Sequence, residues 1–105
     1  MVIVLAPRFV ESCVGMHLIN NADLCGYKVW YWRDGNNEVD FVISNGEELC
    51  GIEVKSRIRT TNRGMSVFKA KYPAAKLYVV SSNDAANSGC IPLEGFLDMK
   101  LEVLF

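Results

Sequence analysis

Several features are scarce in this chain, and each scarcity excludes something. Acidic residues vanish between Glu53 and Asp84, although the whole protein is nearly neutral, with a formal net charge of -1. Global charge therefore does not point to nucleic acid or to a membrane. No apolar stretch approaches the length of a spanning helix. Met1 to Ala6 is apolar but has no basic leader and no small-residue cleavage site, so it does not read as a signal peptide. There is one histidine, His17, and a lone histidine without partners is weak grounds for a site; it reads as a polar edge residue. The four cysteines, Cys13, Cys25, Cys50 and Cys90, contain no Cys-x-x-Cys pair. A zinc site is disfavoured, and four free thiols in a reducing cytoplasm are expected. No Gly-x-x-x-x-Gly-Lys run occurs, which excludes a P-loop ATPase in these residues. No repeat or low-complexity segment is present.

What remains is the composition of one ordinary globular domain: 105 residues, half of them apolar and 22% charged. The stretch from Glu38 to Lys55 organises it. Glu38-Val39-Asp40-Phe41-Val42-Ile43 alternates as a strand, a turn rich in Asn, Gly and Glu follows, and Gly51-Ile52-Glu53-Val54-Lys55 alternates again. That pattern predicts a hairpin. Residues two apart share a strand face, so Glu38 pairs with Asp40 and Glu53 with Lys55. Where the two faces coincide, carboxylates and an ammonium group meet.

Before this hairpin, Pro7 suits the first turn of a helix. Phe9, Val10, Cys13, Val14, Met16 and Leu18 repeat at helical spacing, and Asn20, Asn21 and Asp23 are expected to end that helix. Glu11 lies on its apolar side, in the first turn. Gly26 to Arg33 reads as an aromatic strand, with Trp30 and Trp32 expected to pack in the core or at a sheet edge. Asp34-Gly35-Asn36-Asn37 is a hairpin turn. The third strand is expected from Leu49 to Arg59.

Thr60, Thr61 and Asn62 offer N-cap oxygens for a helix over Arg63 to Tyr72, with Met65, Phe68 and Tyr72 on its apolar stripe and Pro73 beyond its end. Lys76 to Ser81 is an almost wholly apolar strand, and its helical connection implies that it runs parallel to the third strand. Ile91-Pro92-Leu93 reads as an extended edge segment, and Glu94 to Asp98 as a single helical turn. The resulting order is helix, three antiparallel strands, helix, strand.

The chemistry of the hairpin suits a phosphodiester. Asp40 and Glu53 can hold a divalent cation, with the Val54 carbonyl as a third oxygen, and Lys55 can orient the attacking water or steady developing phosphoryl charge. Glu11 can join through water or a second metal. Seven of the eleven basic residues lie between Lys55 and Lys76. Of these, Arg57, Arg59, Arg63 and Lys69 fit a surface for nucleic-acid phosphates. The same run also reads as a solvated helix face, and Asp40, Glu53 and Lys55 also read as a salt-bridge ladder across a hairpin.

Tyr31-Trp32-Arg33, Glu38-Val39-Asp40-Phe41-Val42-Ile43 and Ile52-Glu53-Val54-Lys55-Ser56 together resemble the PD-(D/E)XK nuclease superfamily. More closely, the chain resembles the uncharacterised domain at the C-terminus of bacterial and archaeal AAA+-type ATPases. Lys71 to Ser81 and Ile91-Pro92-Leu93 extend the similarity, which covers roughly Phe9 to Leu97. The resemblance implies a restriction-endonuclease-like αβββαβ core: a mixed central sheet with a helix on each side. It places Asp40, Glu53 and Lys55 at the catalytic positions, Glu11 at the first-helix acidic position, and Mg²⁺ or Mn²⁺ as cofactor. It implies nucleic acid, an ATPase domain in longer relatives and a homodimer as partners, with no membrane. The superfamily's Pro-Asp is replaced by Val39-Asp40. A catalytically silent module that binds nucleic acid or a partner protein is the competing expectation.

In this reading residues 1–8 are a linker remnant or edge strand and residues 9–99 the domain. Residues 100–105 resemble the start of a viral protease site used in expression vectors, and are set apart as a scar.

Overall fold

A computed structural model describes residues 7–55, 63–81 and 90–105, with side chains from residue 10 onward. Helix α1 spans Pro7–Cys25. Three strands follow, β1 (Lys28–Asp34), β2 (Asn37–Ser44) and β3 (Leu49–Lys55), then α2 (Arg63–Lys71), β4 (Lys76–Ser81), β5 (Cys90–Pro92), α3 (Leu93–Leu97) and a 3₁₀ turn over Leu101–Leu104. The five strands form one mixed sheet in the order β1-β2-β3-β4-β5. The first three are antiparallel neighbours, and β4 and β5 continue in parallel. The α/β order and the mixed sheet agree with the sequence reading; β5 takes up Ile91 and Pro92 of the expected Ile91-Pro92-Leu93 edge segment, whereas Leu93 opens α3.

The sheet divides two cores. On one face Val14, Leu18 and Ala22 of α1 meet Ile43, Cys50, Ile52, Val80 and Phe96. On the other, Met65 and Phe68 of α2 cover Val39, Val42 and Ala75, with Trp32 packed against them. The Trp32 and Phe68 rings meet edge to face at 5.2 Å, which accounts for one of the two tryptophans as core. Trp30 is exposed on β1.

Helix α1 runs past the Asn-rich stretch expected to stop it. Asn21 does not break the helix because its amide donates to the His17 carbonyl at 2.7 Å and to His17 Nδ1 at 3.2 Å. The helix ends at Gly26, which takes φ +75°. The Tyr27 N–H then bonds the Ala22 carbonyl at 2.9 Å and the Gly26 N–H reaches the Asp23 carbonyl at 3.4 Å. This is a Schellman termination, which needs a left-handed residue at that position. The His17 ring is half-buried with its edge toward Phe96.

Regular alternation along β2 is interrupted. Trp30 pairs with Val42 and Trp32 with Val39, so Tyr31 alone faces Asp40 and Phe41. This bulge puts Val39 and Val42 in the same core beneath α2, whereas strict alternation would have separated them.

The segment set apart as an appended scar is packed into the domain. Leu101 and Leu104 are each 1% exposed, the Phe105 ring meets Tyr27 at 5.4 Å, and the Tyr78 hydroxyl donates to the Leu104 carbonyl at 2.9 Å. Apolar side chains of this size contribute about 1.5–3 kcal/mol each when buried, enough to fold the segment onto the sheet whatever its origin. All four cysteines are free thiols. Among the described residues no helix is long and apolar enough to cross a membrane.

Candidate functional site

The site lies where β2 and β3 part. Their ladder runs from Ser44↔Leu49 to Phe41↔Ile52. Beyond that rung the Asp40 carboxylate takes the place of a backbone acceptor, and its Oδ2 receives the Val54 N–H at 2.8 Å. The N–H and C=O of one residue point to the same side of an extended strand. The Val54 carbonyl is therefore directed to the β2 side. The bulge carries Asp40 into this opening, consistent with the tendency of bulges to re-aim side chains.

Glu53 stands next to Asp40, and their side chains share a hydrogen bond. Burial is the largest influence on Glu53, followed by the hydrogen bond and the charge of Asp40, and together they push its pKa from 4.5 up to about 9. Lys55 pulls in the opposite direction, and Glu11 on α1 adds a smaller upward push. Without a cation the pair thus retains one proton near neutral pH, as two adjacent carboxylates in a partly dry site must. Lys55 ends β3, half-buried, and pairs in register with Ser81 of β4.

Asp40, Glu53 and Val54 are thereby brought together, with Lys55 near enough for its charge to act on Glu53. Glu11 is exposed and acts on Glu53 through its field. Among the described residues no three His, Cys, Asp or Glu side chains form a group able to hold a metal ion. Any cation would rest on the carboxylate pair, backbone oxygen and water. The basic residues are less concentrated. Arg57 and Arg59 lie outside the described residues. Arg63 opens α2 and is exposed. Lys69 sits near the opposite end of that helix and donates to the Ala75 carbonyl at 2.6 Å.

Two features near the site escaped sequence reasoning. Gly64 brings the start of α2 onto the backbone of Glu38: a Cβ there would stand 1.8 Å from the Glu38 carbonyl oxygen. Only glycine permits that approach. Tyr31 hydrogen-bonds Glu38, and that bond, then desolvation and the Glu38 charge, raise the phenol pKa; Asp40 adds to the shift and Arg33 opposes it. The bulge opposite Tyr31 explains the proximity, and a register slip of one residue has no signature in a strand that already alternates.

Residues 8–94 match the family described as domain of unknown function (DUF4143). No curated protein matches the chain.

Proposed function

The chain belongs to the DUF4143 family, and from the geometry of its site we propose that it is a metal-dependent phosphodiesterase acting on DNA. The observation that carries this reading is the meeting of Asp40 and Glu53 at the opening between β2 and β3, with Lys55 acting on the same carboxyl. The resemblance of the Glu-Val-Asp-Phe and Glu-Val-Lys-Ser strands to the PD-(D/E)XK nucleases supports it, as does the sequence order of helices and strands. On the same resemblance, longer relatives carry an AAA+-type ATPase domain.

The donor set suits a hard divalent cation such as Mg²⁺ or Mn²⁺. It is all oxygen, it carries two carboxylates where one excess proton sits, and such ions retain several waters. Asp40, Glu53 and the Val54 carbonyl would hold the ion, with Glu11 acting through water. When bound, the ion would supply Lewis acidity toward a phosphodiester and acidify a water. The chain's own residues do the rest. Asp40 is oriented by the Val54 N–H and by its hydrogen bond with Glu53. Lys55 places an ammonium group where it can hydrogen-bond an attacking water or a phosphoryl oxygen. Arg57, Arg59, Arg63 and Lys69 would supply contacts to flanking phosphates.

The lack of a three-residue metal group among the described side chains favours a second reading, a silent module of the same fold that binds nucleic acid or a partner protein. Calorimetric titration with Mg²⁺ and Mn²⁺, together with plasmid and single-stranded DNA cleavage, separates the two. Metal binding with cleavage that disappears in Lys55→Ala supports the phosphodiesterase. Intact DNA in the presence of either metal would sink it and leave the binding module.

A further inference from the structure

The two edges of the sheet are built differently. Strand β5 is three residues long and contains Pro92, and both features discourage pairing with another chain. Strand β1 is seven residues long, Lys-Val-Trp-Tyr-Trp-Arg-Asp, and contains no proline. Among the described residues it pairs with β2 only and stands at the end of the sheet. Trp30 is 39% exposed and Tyr31 51%, so two large rings lie uncovered at an edge able to accept another strand.

The order of residues along β1 selects the occupant. When the strand is laid antiparallel against a copy of itself about Tyr31, all seven residues pair. Lys28 then falls opposite Asp34 at both ends, and Trp30 falls opposite Trp32 twice. Opposite charges and aromatic pairs directly across an antiparallel ladder are favourable, whereas like charges there are not. Lys28 and Asp34 are both exposed. Asp34 already accepts Lys71 at 3.2 Å, a surface pair that leaves room for a second cation.

We propose that two copies of this chain associate through β1, antiparallel and centred on Tyr31, joining their sheets into one of ten strands. The interface is isologous, as a two-fold requires. Because Tyr31 faces Asp40 and Phe41 across the bulge, the two Asp40 residues lie straight across the axis. They stand three strand spacings apart, roughly 14 Å. The association rests on the edge and its charges and does not depend on the phosphodiesterase reading.

The test uses charge exchange at exposed positions, where folding is little affected. Mass is measured by sedimentation or light scattering on the full chain across a concentration series, with circular dichroism to verify folding. The wild type is expected at twice the chain mass. Lys28→Asp places Asp opposite Asp34 twice, and Asp34→Lys places Lys opposite Lys28 twice; each single variant should dimerise roughly tenfold or more weakly. The Lys28→Asp/Asp34→Lys double variant should recover the dimer. Mixing the two single variants should produce a heterodimer, because both charge pairs are then complementary. A wild type that stays monomeric throughout would overturn the proposal. So would a dimer indifferent to either reversal, or single variants that do not combine.

Discussion

Replacing Glu53 by glutamine should make the metal-free protein more stable at pH 8 and leave it unchanged at pH 4. Glu53 titrates near 9 in the folded chain against an ordinary value of 4.5. A carboxyl with a raised folded pKa contributes fully below its unfolded pKa. Its contribution declines as pH rises from about 4.5 toward about 9, because the unfolded chain releases the proton first. One pKa unit corresponds to ~1.4 kcal/mol. Glu53 is only partly buried, and solvent screens part of the interaction, so we take ~2 kcal/mol as the cost at pH 8. Glutamine resembles the protonated carboxyl: it is neutral and keeps a donor for Asp40. For a domain of this size 2 kcal/mol is a Tm difference of roughly 10 °C. The assay is thermal unfolding of wild type and Glu53→Gln from pH 4 to pH 8 in a chelator. The difference should open steadily with pH. Adding Mg²⁺ or Mn²⁺ at pH 8 should raise the wild type and not the variant. A variant equal to or below wild type at pH 8, or an offset that ignores pH, would refute the account of the carboxylate pair.

Other consequences can be checked on the same protein. Gly64→Ala should destabilise by about 1–3 kcal/mol, as forced overpacking does, and denaturant midpoints should fall accordingly; an unchanged midpoint would mean that α2 does not rest on Glu38. Leu104→Ala removes a side chain that is 1% exposed and should cost about 2–5 kcal/mol, while a change within error would show that the C-terminal turn is not part of the core. Thiol labelling of the folded protein should modify exposed Cys25 first and leave Cys50 unmodified until unfolding, since Cys50 is buried and its pKa is pushed up to about 12 by that burial. Early modification of Cys50, read by mass spectrometry, would contradict the packing of β3.

Local pattern carried most of the element order. The alternation of Glu38 to Ile43 and of Gly51 to Lys55 marked two strands, the apolar run at Leu77 to Val80 marked a third, and its helical connection gave its parallel direction. Their meeting was legible because a hairpin brings the ends of its strands together by connectivity alone. Other features depended on tertiary contacts. The bulge at Asp40-Phe41 shifts register without altering composition, so periodicity could not reveal it. The end of α1 was misplaced because asparagine ranks as a breaker by propensity, yet Asn21 satisfies its amide on the preceding turn. The C-terminal segment resembled a vector remnant in sequence, but burial depends on the surface that Tyr27, Tyr78 and Phe96 offer, which no pattern in residues 101–105 describes. Sequence put Asp40 on the second strand and Glu53 and Lys55 on the third, as the fold has them. It could not show that Asp40 substitutes for a backbone acceptor at Val54.

The contact at Gly64 has a consequence for how such a chain can drift. Its neighbours Arg63 and Met65 can exchange for residues of similar reach without moving the backbone. Position 64 has no such latitude, because the space a side chain would need is occupied by the main chain of Glu38. Any lineage that replaces this glycine must withdraw α2 from β2 and reopen the core around Phe68. The partner of that constraint is the backbone of position 38, whatever its side chain. Among descendants of this sequence, then, glycine at 64 should persist while Glu38 varies, and substitution at 64 should arrive only with compensating changes beneath the helix.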